Sequence, residues 1–117
     1  MTEEAYGRMQ VNADRIEAGF TAAIAATGLD WTVSRVGARL EVVFSPLPVR
    51  NAAEARAAAS DTIEAALHLS MLNLGYLLTP FHNMVLVSPA LSESQADGLV
   101  AAFATVLGRL SERRAAA

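Results

Sequence analysis

The stretch Gly75-Tyr76-Leu77-Leu78-Thr79-Pro80-Phe81-His82-Asn83-Met84-Val85-Leu86-Val87-Ser88-Pro89-Ala90-Leu91 constrains the chain more than any other. Gly75 follows a long apolar-periodic segment and can take the left-handed conformation that ends a helix. Pro80 has no N–H to give a ladder and breaks a first short strand. Met84 to Val87 is an uninterrupted apolar run, the length of a buried strand. Ser92 then stands three residues before Gln95, the spacing of a capping box that opens a helix. A helix stop, a strand, a polar-aromatic turn, a second strand and a helix entry therefore follow one another in this order.

The flanking chain fits around that unit. Residues 3–27 read as a helix, with Met9, Ala13, Ile16, Phe20, Ala23 and Ile24 on one stripe and Gly28 as its stop. Gly7 and Gly19 weaken it. Residues 31–36 and 39–44 read as a hairpin turned at Gly37, with Leu40, Val42 and Phe44 on one face and Glu41, Val43 and Ser45 on the other. Pro46 and Pro48 stop its second strand. Asn51 and Glu54 hold N-cap and third-position spacing, and a single helix is expected from there to about Asn73. Leu67, Met71 and Leu74 share one face of it, while Leu69 and Leu72 point away, which predicts an apolar surface in need of a second cover. A last helix spans 93–113 on the stripe Ala96, Leu99, Val100, Phe103, Leu107 and Leu110, and residues 115–117 are expected to fray.

The expected fold class is α+β: a single domain over 1–117 with a small, mainly antiparallel sheet of three or four strands. Helices pack on one face of it, in the order α-β-β-α-β-β-α.

Composition excludes several classes. The nine basic residues are all arginine and are scattered, against twelve acidic residues and a net charge of −3. A nucleic-acid surface needs a clustered basic patch. The basic tail Arg109, Arg113 and Arg114 suits a helix C-terminus through the dipole. There is no cysteine, hence neither a disulfide nor a thiolate metal site. His68 and His82 have no metal-binding spacing. Asp61 and Glu64 sit three apart as a solvated helix face rather than facing each other across a cleft. No run is long enough to span a membrane, and the acidic start Met1-Thr2-Glu3-Glu4 is unlike a signal peptide, so a cytoplasmic location is expected. No nucleophile elbow, Walker loop or dinucleotide fingerprint occurs.

The pattern Gly75, Tyr76, Leu77, Leu78 and Pro80, followed by Met84 to Pro89 and Ser92 to Asp97, resembles the end of a class III aminotransferase. These are pyridoxal-phosphate enzymes of fold type I, here of the glutamate-1-semialdehyde aminomutase-like kind. Asn51-Ala52-Ala53-Glu54 and Arg35-Val36-Gly37 fit upstream. The resemblance covers nearly the whole chain, but only about the last quarter of a full-length member. It implies a C-terminal small domain that closes over the cofactor site of a large domain.

In that family the cofactor is a Schiff base on a lysine, and this chain has no lysine. Pyridoxal phosphate is thus expected in the full-length family and not on this chain alone. The resemblance makes Thr79, Pro80, Phe81, His82 and Asn83 the substrate-pocket candidates. The alternative is an ordinary turn that satisfies its own backbone. Some members carry an arginine where Thr79 stands, and a threonine cannot form the bidentate pair with a carboxylate. Many carry a histidine where Leu91 stands. The expected partner is the large domain or a second copy, as a homo-oligomer. A rival reading is a free-standing, self-associating interaction module without catalysis.

Overall fold

The computed structural model describes residues 1–116. Its elements are α1 (Glu3–Thr27), β1 (Thr32–Val36), β2 (Arg39–Val43), α2 (Ala52–Ala58), α3 (Asp61–Asn73), β3 (Met84–Leu86) and α4 (Glu93–Ala116). The three strands form one antiparallel sheet in the order β1-β2-β3. The α+β architecture with a small antiparallel sheet is as expected.

The core lies between the sheet and the long helices. Ile16, Phe20 and Ile24 of α1 meet Phe103, Val106 and Leu107 of α4, with Leu40, Val42 and Val85 of the sheet and Leu67 and Met71 of α3. The rings of Phe20 and Phe103 stack with centroids 3.8 Å apart and planes 13° from parallel. Gly19 has a role that its helix propensity hides. A Cβ there would collide with both γ-methyls of Val100, so this glycine lets α1 and α4 approach closely.

Local chemistry sets the element ends. Thr2 caps α1 by accepting from Ala5 N–H, and Gly28 closes it at φ 67°. Gly37, at φ 59°, is the first of the two residues between paired Val36 and Arg39. That is where a two-residue hairpin turn takes glycine. At the end of α3, Tyr76 N–H donates to Met71 O and Gly75 N–H to Leu72 O, the double closure of a left-handed helix stop. Ser92 and Gln95 donate reciprocally, N–H to side-chain oxygen, at 2.9 and 3.1 Å. Helix α4 runs through Ala116, and of the tail expected to fray Ala117 lies outside the described residues.

Three details differ from expectation. The helix expected over 51–73 is two helices. Ala59 is extended, and Ser60 accepts from Ile63 N–H as the N-cap of α3, with Asp61 and Glu64 in its first turn. A serine side chain competes with the helical backbone and starts a new helix where acids follow. The strand expected around Tyr76–Leu78 does not form either. Leu78 is buried and Leu77 exposed, so the segment alternates like a strand. Its one backbone tie across is Thr79 N–H to Met84 O, because Pro80 follows without a donor. Leu74 also departs from the face it was assigned: it caps α3 and is exposed, while Leu67 and Met71 are fully buried. Leu69 and Leu72 are exposed, as their positions predicted.

Candidate functional site

The five candidate residues form one tight turn between the extended segment and β3. Thr79 organises it. Its hydroxyl donates to Phe81 O and accepts from Met84 N–H at 2.9 Å. With both capacities used on its own backbone, this side chain is a clip rather than a free contact group. His82 and Asn83 follow with φ of 58° and 47°. Two consecutive left-handed residues reverse the chain sharply into β3, and asparagine and histidine tolerate that conformation better than most side chains.

The turn splits into an exposed and a buried part. Pro80, Phe81 and His82 are exposed. The Phe81 ring meets the His82 ring edge-on at 5.9 Å. Asn83 is only 2% exposed, its carbonyl accepts from Val42 N–H, and its Oδ1 has no partner. His82 Nδ1 lies 3.4 Å from Glu41 Oε1 on β2, an ion pair when the ring is protonated. Arg39 Nη2 lies 3.5 Å from the other Glu41 oxygen. Alternation put Glu41 on the sheet face opposite Leu40, Val42 and Phe44, and no sequence signal linked it to the turn.

His68, which the sequence showed only to lack metal-binding spacing with His82, is not idle. It holds the approach to the turn: its Nδ1 donates to Leu78 O at 2.7 Å, which fixes the proton on that nitrogen. Its spacing of ten residues from Leu78 carries no recognisable motif. Asn12 acts likewise at the other end of the unit. It is buried in α1 and donates through Nδ2 to Leu91 O at 2.9 Å, just before α4. Arg35 ties the hairpin to α1 through Gln10, Asp14 and Glu17.

Beside the turn lies a groove of about 170 Å³ bounded by β2, the α2–α3 junction and residues 82–83. A second, apolar hollow of about 650 Å³ lies under the segment Phe44–Arg50 and α2. Among the described residues no group of three metal-ligating side chains comes together. No helix is long and apolar enough to cross a membrane.

No family model matches the chain. Individual proteins do. The glutamate-1-semialdehyde 2,1-aminomutase of Anaeromyxobacter dehalogenans is 39% identical over 80 residues, which are 68% of this chain and 18% of that protein. A glutamate-1-semialdehyde-aminomutase from Pseudomonas aeruginosa, solved in complex with PMP, superposes with a TM-score of 0.90 and 44% identity. That match covers 94% of this chain and 24% of the solved one. The chain is aminomutase-like over nearly its whole length. A β-phenylalanine aminotransferase from Variovorax paradoxus shares the fold, with a TM-score of 0.77 at 22% identity.

The aminomutase-like chain spans 18% of its curated relatives and 24% of the solved aminomutase. Pyridoxal phosphate is held in such enzymes through a Schiff base on a lysine amine. There is no lysine amine in the sequence. The Thr79 hydroxyl is engaged on the turn's own backbone, and the described residues around the turn offer no glycine-rich cradle for a phosphate.

Proposed function

We propose that this chain serves as the C-terminal small domain of a pyridoxal-phosphate-dependent class III aminotransferase of the aminomutase kind. In this reading it completes the substrate site of a large domain. The observation that carries the proposal is the 44% identity and TM-score of 0.90 over 94% of the chain against a solved aminomutase of which it spans 24%. The turn 79–83 is the part we assign to the substrate side, with exposed Phe81 and His82 as the contact groups and Thr79 as the clip that shapes it. The cofactor supplies the electron sink for amino transfer and is held by the large domain, since this chain offers no amine to it. The reading also places the protein in the cytoplasm.

The experiment is a graft. The C-terminal quarter of the Pseudomonas aeruginosa aminomutase is replaced by this chain, and the half-reaction is followed through the cofactor's absorbance. The proposal expects a folded chimera that binds cofactor and transfers an amino group. It also expects Phe81→Ala and His82→Ala to change KM or kcat without loss of cofactor. A folded, cofactor-loaded chimera with no turnover on a broad panel of amines would refute it.

A second reading has its own observation. Leu69, Leu72, Leu77 and Phe81 are all exposed, an amount of apolar side chain that favours a covering surface. A self-associating module would form a dimer of fixed mass in sedimentation, and Leu69→Arg with Leu72→Arg would dissociate it. As a small domain, the chain alone would instead associate without a fixed stoichiometry.

A further inference from the structure

The extended segment that leads into the turn is tied at its two ends and once in between. At its start Gly75 N–H donates to Leu72 O and Tyr76 N–H to Met71 O. At its end Thr79 N–H donates to Met84 O. Among the described residues, neither Leu77 nor Leu78 bonds through its backbone to another backbone group. Leu78 is wholly buried, so its carbonyl is cut off from water and needs a donor from the protein. His68 Nδ1 supplies that donor at 2.7 Å. The ring is itself well anchored, because His68 stands on α3 between Leu67 and Met71, both fully buried in the core. One residue beyond the bonded carbonyl, the Thr79 hydroxyl closes the turn. Phe81 and His82 then stand exposed.

We propose that His68 is a positioning residue for the substrate side of the turn. It touches no substrate. It fixes the place of Leu78, and through Leu78 that of the Thr79 clip and of the Phe81 and His82 side chains. No ladder bond backs it up, because the segment forms no strand. Without the imidazole donor the Leu78 carbonyl is left buried and unpaired, and the segment relieves that cost by shifting. Contact groups must be held to a fraction of an ångström, and a misplacement of about 1 Å can cost about a hundredfold in rate. The inference rests on the reading of residues 79–83 as the substrate side.

The test places His68→Leu and His68→Asn in the graft chimera with the Pseudomonas aeruginosa aminomutase. Cofactor loading, kcat and KM are measured for the amine that the unsubstituted chimera turns over best. Leucine fills much of the ring's space without a donor, whereas the asparagine amide nitrogen comes close to where imidazole Nδ1 stands. His68→Leu is expected to load cofactor and to raise KM about tenfold, and His68→Asn to recover most of that rise. A merely structural role would lower the loaded fraction, and kcat with it, at unchanged KM; that result would overturn the proposal, as would a raised KM that His68→Asn does not recover. If His68→Leu fails to load cofactor, His68→Gln takes its place. Its amide nitrogen lies one bond further from the helix than Nδ1, and a KM equal to that of the unsubstituted chimera would overturn the proposal. An unsubstituted chimera without turnover removes the substrate-side reading and this inference together. An active one whose KM His68→Leu leaves unchanged removes this inference alone.

Discussion

Helices α1 and α4 and helix α2 are all rich in alanine, yet they are held in opposite ways. Along the α1–α4 seam Phe20 and Phe103 stack, and Gly19 is pressed against Val100 so closely that a methyl has no place. Helix α2 buries none of its residues. Its ties are local: Asn51 accepts from Glu54 N–H, and the Glu54 carboxylate accepts from Arg50 N–H and Arg50 Nη2. One hollow separates α2 from β2 and another separates it from the segment Phe44–Arg50. Packing density therefore divides the molecule. The seam is closely packed, whereas α2 is held by local ties alone. The half with α2 is also where the candidate residues lie.

The contrast can be broken first at the seam. Phe103→Ala removes a fully buried ring and its stacking on Phe20, and should cost about 3–5 kcal/mol in urea denaturation. A loss under about 1 kcal/mol would mean the seam is not the stabilising half. Gly19→Ala is a sharper probe. By propensity alone it should stabilise α1 by about 1 kcal/mol. The contact with Val100 reverses the sign, and overpacking should cost about 1–3 kcal/mol. A more stable Gly19→Ala would show that the helices stand further apart than described.

The loose half yields smaller effects. Ser60→Ala should lower stability by about 1 kcal/mol through loss of the α3 cap, with faster amide exchange at Thr62 and Ile63. Were α2 and α3 to fuse into one helix instead, stability would rise. The smallest effect is acid loosening of α2. The Glu54 carboxyl is held below its ordinary value, first by the Arg50 guanidinium hydrogen bond and then by the Arg50 N–H. A depressed carboxylate stabilises the fold above its unfolded pKa, and that contribution is lost as pH falls through the folded pKa. Carbon-detected NMR of the Glu54 carboxyl should show a midpoint below that of a free glutamate, and α2 amides should exchange faster as that midpoint is crossed.

What was readable in the sequence follows the same division. The stripes of α1 and α4, the Gly37 turn, the Gly75 stop and the Ser92–Gln95 box rest on local periodicity and capping, and each forms as those patterns dictate. The break at Ser60 was also written locally, as Ser60-Asp61 with Glu64 after it, but the helical run of alanines around it masked the signal. The roles of Gly19, His68 and Glu41 are set by partners 81, 10 and 41 positions away respectively, and no periodicity carries such information. For the candidate turn, the residues 79–83 were located by resemblance. That Thr79 is spent on its own backbone while Asn83 is buried without a partner came only from the three-dimensional arrangement.

The central claim is that this chain works as one part of a larger aminotransferase. The most direct measurement is the mass of the native polypeptide in its source cells, by immunoblot with an antibody raised against this chain. A band several times heavier than 12.3 kDa is expected, carrying the lysine and the cofactor that this stretch lacks. A band at 12.3 kDa and no heavier one would contradict the account and leave the self-associating module in its place.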